Sequence, residues 1–364
     1  MAPPAAPRAR KLLINGRFLA QPLSGVQRFA TEITSALRRL APDRVEVLGP
    51  SGASDATGPV RIVGRRGGHL WEQLELPSHA TAGTLINLGN TAPLRLAQQI
   101  VVVHDAGVFS TPRAYSMRFR LWYKFVQRRL AHGGACVVTV SEFARQDIAR
   151  CLGIPREKIA VISEGADHLD AIPADDRVLS RLPPGRFVLV VGNLAEHKNL
   201  VALGTLAQQL ATRGEILVVT GALATGAFRP VGPGGLPQPA CYVGRVTDAE
   251  LKSLYLHAAC LVFASRYEGF GLPAVEAMAC GCPVVASRIP ALQEVCAEAA
   301  VYVDPHHPGD IAAGVLGLLD APALHTAMSS AARARATHFT WHRAATQLAA
   351  IADRVERTPP RTAT

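Results

Sequence analysis

Short, β-branched apolar runs alternate with stretches of helical spacing along this chain, and the alternation stops once and starts again. In the first series Lys11–Leu19, Thr84–Leu88, Ile100–His104, Cys136–Ser141 and Ile159–Ser163 read as buried strands, with helices at Gly25–Leu40, Arg118–Ala131 and Glu142–Cys151. A stretch rich in Asp, Pro and Leu, residues 166–184, interrupts the pattern and reads as a weakly ordered linker. The second series has strands at Arg186–Val191, Glu215–Thr220, Cys241–Val243, Cys260–Ala264, Pro283–Ala286 and Ala300–Val303. Between them Leu200–Arg213, Asp248–Ala258, Pro273–Cys280 and Pro290–Ala297 have helical spacing. Strand and helix in alternation require parallel sheets joined by right-handed crossovers. The chain is therefore expected to be α/β with two domains, residues 1–170 and 171–340, followed by an amphipathic helix and tail at 341–364. A length of 364 residues suits two cores better than one. Ligands of such sheets bind at the carboxyl ends of the strands, which places the site in the cleft between the domains.

No apolar run approaches the roughly 20 residues that span a bilayer. Met1–Arg10 is rich in Pro and Ala and has no apolar segment after it, so it reads as a loose tail rather than a signal peptide. The seven cysteines are odd in number, sit mostly in apolar segments and form no Cys-x-x-Cys pair; Cys280-Gly-Cys282 is too tight for a zinc knuckle. Reduced core thiols in the cytoplasm are expected.

Charge is unevenly divided. Residues 1–170 carry 22 Lys/Arg against 13 Asp/Glu, and the remainder 16 against 15. One half is thus expected to meet an anionic partner. Nucleic acid is not expected, because no zinc-finger, RNP-like or helix-turn-helix signature accompanies the charge. An anionic membrane surface or a phosphate-bearing acceptor fits better. Arg113–Arg129 sharpens this point, with six cations and five aromatics in 17 residues and no acid. Such a segment suits an interfacial helix on anionic lipid, peripheral on the inner face of the plasma membrane. It equally describes a helix whose aromatics pack on the sheet while its cations face water.

The chemistry concentrates in Tyr267-Glu268-Gly269-Phe270-Gly271-Leu272-Pro273-Ala274-Val275-Glu276, which follows a strand and opens a helix with Pro273 near its first turn. The glycines let backbone approach a ligand, and helix-start N–H groups can receive an anion. Glu276, expected in the first turn, can accept hydrogen bonds from a diol, and Glu268 can reach another part of the same ligand. Singly, each Glu is explained as a loop residue or a helix-dipole residue. Strand, Glu, Gly-x-Gly, Pro and Glu together are not. A glycosidase-like carboxylate pair is disfavoured, because one Glu lies on a helix and a glycine-rich anion pocket separates the two.

The Glu, seven residues, Glu spacing in this context resembles the family-four (glycosyl transferases group 1) retaining GT-B glycosyltransferases, with bacterial polysaccharide mannosyltransferases looking closest. Asn15-Gly16-Arg17-Phe18-Leu19, Ser24-Gly25-Val26-Gln27-Arg28, Trp71-Glu72-Gln73, His104-Asp105, Val140-Ser141-Glu142-Phe143, Val191-Gly192-Asn193-Leu194, His197-Lys198-Asn199 and Phe339-Thr340-Trp341 are similar to that group's pattern. The resemblance implies two Rossmann-like domains facing a central cleft and a C-terminal helix returning to the N-domain. It implies that Glu276 grips ribose, while Glu268 with the backbone of Gly269, Phe270 and Gly271 holds the hexose. Lys198 would meet the pyrophosphate, Gly25 and Val26 would approach the same phosphates, and His104 would contact the sugar near its reacting carbon. Asn193 stands where many relatives have an Arg, so the second phosphate charge falls to Arg245 or to backbone amides. The implied partners are a nucleotide-diphosphate sugar, with GDP-mannose the expected donor, and a glycan or polyprenyl-diphosphate-linked acceptor. No cofactor is implied, and no Asp-x-Asp motif calls for a metal. A GT-B sugar-nucleotide epimerase or phosphorylase would use the same cleft. A non-catalytic sugar-nucleotide-binding homologue would not be expected to retain His104, Lys198, Glu268 and Glu276 together.

Overall fold

The computed structural model of the chain describes residues 10–54, 56–221 and 236–357. The expected N-terminal tail, apart from Arg10, and the last residues lie outside this set, as does the side chain of Arg113. The first sheet comprises β1 (Lys11–Asn15), β2 (Val45–Gly49), β3 (Val60–Ile62), β4 (Gly83–Asn87), β5 (Gln99–Val102), β6 (Cys136–Thr139) and β7 (Ile159–Val161). The second comprises β8 (Phe187–Val191), β9 (Ile216–Thr220), β10 (Cys241–Gly244), β11 (Cys260–Phe263), β12 (Val284–Ser287) and β13 (Ala300–Val303). The strand pairings among the described residues are all parallel, in the orders β3-β2-β1-β4-β5-β6-β7 and β10-β9-β8-β11-β12-β13. Each order reverses direction once, at β1/β4 and at β8/β11, and a crevice opens at the carboxyl ends of those pairs.

Central strands are buried on both faces, which is why their apolar runs are continuous. Two strands escape a reading based on such runs. Glu46 interrupts β2, and β3 is a largely exposed edge strand centred on Arg61. The expected strand Lys11–Leu19 is shorter than its apolar run. Asn15 accepts a hydrogen bond from the Arg17 amide and starts a 3-10 turn, Gly16–Ala20, whose Phe18 and Leu19 remain buried. Residues 166–184 are also better ordered than expected for a linker. They form 3-10 turns at Asp167–Leu169 and Asp176–Arg181, with Leu169 and Val178 fully packed and Asp176 accepting from the Ser253 hydroxyl.

The last helix, Trp341–Arg357, crosses back to the N-domain along helix Gly25–Leu40. The Trp341 ring meets Phe29 edge-on at 5.8 Å, Arg44 pairs with Asp353 at 2.8 Å, and the Gln98 amide donates to the Val355 carbonyl. Its buried stripe of Ala344, Ala345, Leu348, Ile351 and Ala352 follows helical spacing. Among the described residues no single helix is long and apolar enough to cross a membrane.

Candidate active site

Lys198 and Glu268 follow β8 and β11, the two strands that flank the second reversal. Past β8 the chain passes through Gly192 (φ +146°) and a 3-10 turn, Glu196–Lys198. A side chain at Gly221 would lie 1.7 Å from the Gly192 carbonyl oxygen, so this crossing requires glycine. Asn199 sits in the left-handed region and donates to the carbonyls of Ala264 and Pro305, which pins the turn to the ends of β11 and β13. Lys198 is thereby aimed across the crevice, and its Nζ lies 2.6 Å from Glu268 Oε1. Burial opposes the ionised Glu268 carboxylate, but the Lys198 ammonium and adjacent His197 hold it below the ordinary glutamate range. Burial, with Lys198 beside it, pushes His197 down to about 4.

After Glu268, Gly271 takes φ +112° and caps helix Leu272–Ala279. A Cβ there would meet Leu292 at 2.6 Å. Phe270 is an anchor rather than a ligand-facing ring, buried edge-on against Phe339 at 5.6 Å. Glu276 stands in the second helical turn, not the first, because the helix already begins at Leu272. Its carboxylate is engaged on both oxygens. The Tyr255 hydroxyl donates to Oε2 at 3.0 Å, and His168 Nε2 lies 3.3 Å from Oε1. Trp341 Nε1 donates to His168 Nδ1, which leaves the His168 proton on the nitrogen that faces Glu276.

The N-domain supplies the opposite wall. His104, after β5, is buried; its Nε2 donates to the Leu88 carbonyl at 3.0 Å and its Nδ1 lies 3.6 Å from Glu164. The His104 ring thus faces protein groups, and it is the His104 backbone that meets the glycine turn. A Cβ at Gly269 would come within 2.3 Å of the His104 carbonyl oxygen. Burial raises the carboxyls of Asp105 and Glu164 above their usual ranges. At the first reversal, beyond β1 and β4, the Asn15-Gly16-Arg17 and Trp71-Glu72 motifs converge. Glu72, fully buried, accepts from Asn15, Arg17 and Thr91 at 2.9, 3.1 and 2.9 Å.

The two walls are clasped together. Tyr267 accepts from the Ala106 amide and donates to Asp147, and Ser141 donates to the Gly269 carbonyl. Glu294 of the C-domain accepts from the Glu142 and Phe143 amides at 2.7 and 2.8 Å, while Ser141 takes the Ala144 amide. These three N–H groups open helix Glu142–Leu152 and would otherwise lack partners. Arg28 pairs with Asp248 across the cleft.

The remaining expected residues ring this centre. Gly25 begins its helix, and a Cβ there would touch nothing within 4 Å, so the protein's own packing does not demand glycine at that position. Val26 follows it in the same first turn. Arg245 donates to the Leu23 carbonyl of the N-domain. Asn193 Oδ1 is buried without a hydrogen-bond partner, an open acceptor beside Lys198's turn. Sequence spacing misses Tyr255, His168, Glu164 and Glu294, which reach the site from other elements. Asp105 and Tyr267 lie within the His104-Asp105 and Tyr267–Glu276 motifs, and that placement is their signal.

A Glycosyltransferase Family 4 profile matches residues 23–168, and the profile of Glycosyl transferases group 1 matches residues 173–335. The chain is 30% identical over 267 residues to O-antigen chain mannosyltransferase B of Escherichia coli, covering 70% of each chain. It is 31% identical over 220 residues to O-antigen chain mannosyltransferase RfbU of Salmonella typhimurium, covering 59% of each. Its fold matches that of sucrose-phosphate synthase from Thermosynechococcus elongatus with a TM-score of 0.73 at 19% identity, over 96% of this chain and 99% of that one. Two parallel α/β domains facing a cleft, with a helix returning from the second to the first, define a GT-B glycosyltransferase. The chain belongs to the group 1, or family 4, glycosyltransferases.

Proposed function

We propose that this enzyme transfers mannose, with retention and without a metal ion, from GDP-mannose to a glycan or polyprenyl-diphosphate-linked glycan during polysaccharide assembly. It would work in the cytoplasm, peripherally on the inner face of the plasma membrane. The observation that carries the reading is the Lys198–Glu268 pair at the β8/β11 reversal, set against the His104–Asp105 wall. Mannose is chosen because the relatives above are named mannosyltransferases.

In this reading the donor diphosphate lies over Lys198, whose point charge meets the negative charge that grows as the C1–O bond breaks. Glu268 and the amides of Gly269–Gly271 take the hexose hydroxyls. Asn193 offers its unpartnered oxygen to the donor, and Gly25 and Val26 close over the phosphates from the N-domain. The acceptor oxygen bonds to C1 on the face the diphosphate leaves and passes its proton to that departing diphosphate. Incubation with GDP-mannose and a glycan acceptor should give an α-linked product by NMR, with the rate unchanged by EDTA. An inverted linkage would refute retention. Complete loss with EDTA, restored by Mg²⁺ or Mn²⁺, would refute metal independence. Turnover of donor without acceptor would point to an epimerase.

Glu276 would hold the ribose diol. Glu276→Gln keeps its shape and a partner for Tyr255, and should weaken GDP binding by about 1.5–3 kcal/mol, the usual cost of losing a hydrogen bond to a charged group. Isothermal calorimetry checks this, and unchanged GDP affinity would remove Glu276 from the site.

A further inference from the structure

Helix Met117–His132 does not hide all of its apolar side chains. Trp122 and Tyr123 meet His69 at 5.6 and 5.7 Å, Phe119 stacks on Tyr115 and Tyr123, and Val126 and Leu130 enter the core. Met117, Leu121 and Phe125, one turn apart, remain 65%, 59% and 51% exposed. They share the outward face with exposed Arg118, Arg128 and Arg129. The adjoining helix Gly68–Leu74 adds Leu70 and Leu74, both more than half exposed. A solvated helix face would carry the cations alone; this one carries cations and apolar groups together.

The face runs into a groove of about 1440 Å³ at the amino ends of β5, β6 and β7, which Arg95, Lys124, Arg128, Arg129 and Lys158 line. Among the described residues none of these five pairs with a carboxylate. Lys124 and Arg128 lie instead over the Phe109 ring at 4.9 and 5.5 Å, and Glu157 on the rim is taken by Arg156. Uncompensated cations beside exposed apolar groups complement a surface that is anionic at its headgroups and apolar just beneath.

We propose that this face docks on an anionic lipid bilayer, seating headgroup phosphates in the groove and Leu121 and Phe125 at the headgroup–acyl boundary. The proposal deepens the membrane part of the function above and rests on it for its purpose. The groove lies at the amino ends of the N-domain strands and the catalytic cleft at their carboxyl ends, so bilayer and nucleotide bind together. Co-sedimentation of the full chain with phosphatidylglycerol vesicles tests this, with pure phosphatidylcholine as the control. Wild type should bind the anionic vesicles, less so as salt shortens the Debye length, and should retain GDP affinity there. Arg128→Glu with Arg129→Glu should lower partitioning tenfold or more, from about 1 kcal/mol per cation. Leu121→Ser with Phe125→Ser should lower it even at high salt, where charge no longer helps. All four side chains are exposed, and an unchanged thermal melt and GDP affinity would show that both variants fold. Wild type that ignores anionic vesicles at low salt, or variants that bind them as tightly as wild type, would overturn the proposal. Vesicle binding without GDP binding would count against the donor assignment and leave the surface standing.

Discussion

Lys198→Ala is expected to lower kcat by about 10²–10³-fold, the usual loss when one preorganised group that stabilises developing charge is removed. The ammonium lies 2.6 Å from Glu268 and is the cation best placed over the β8/β11 crevice. Burial opposes ionised Glu268, and Lys198 is the chief group that outweighs it, holding the carboxyl below the ordinary 4.5. This depressed value contributes stability that is present above pH 4.5 and is lost as pH falls through the lower folded value. Without Lys198, burial dominates and the Glu268 value rises. The acid limb of kcat/KM in the variant should therefore move to higher pH than in wild type. A pH–rate profile of both proteins decides it. An unmoved acid limb would mean that Glu268 is governed by something other than Lys198, and an undiminished kcat would take the lysine out of the chemistry.

Glu72→Ala should cost about 3–5 kcal/mol of stability, the range for deleting one partner of a buried ion pair. Glu72 is fully buried and takes hydrogen bonds from Asn15, Arg17 and Thr91, with His69 Nδ1 3.2 Å away. Arg17, itself 6% exposed, would be left charged and unpaired beneath the first reversal. At about 2–4 °C per kcal/mol for a domain of this size, Tm should fall by about 6–20 °C. Glu72→Gln, which keeps the shape and part of the acceptor capacity, should lie between the two. Calorimetry that finds less than about 1 kcal/mol, the ceiling for exposed pairs, would show that Arg17 reaches water when released.

Most central strands were legible because a parallel strand covered on both faces must be apolar along its whole length. Edge strand β3 and its neighbour β2 were not, since β3 meets solvent at Arg61 and Ile62 and the half-buried start of β2 admits Glu46. The site divides along the same line. Glu268, Gly271 and the helix that follows lie within a dozen residues, and local backbone chemistry specifies them. Lys198 was found by resemblance, but its meeting with Glu268, 70 residues away, required the sheet order.

By itself the sequence determined two α/β units, the glycine turn between two glutamates and the basic aromatic helix, because each is written in neighbouring residues whose spacing has a physical meaning. Tertiary structure alone decided that His168, from a stretch resembling a loose linker, faces Glu276, and that Glu294 caps a helix 152 residues away. It also decided that Leu121 and Phe125 point outward. Periodicity tells which residues of a helix share a face, whereas which face is covered, and by which distant charge, depends on what the rest of the chain packs against it.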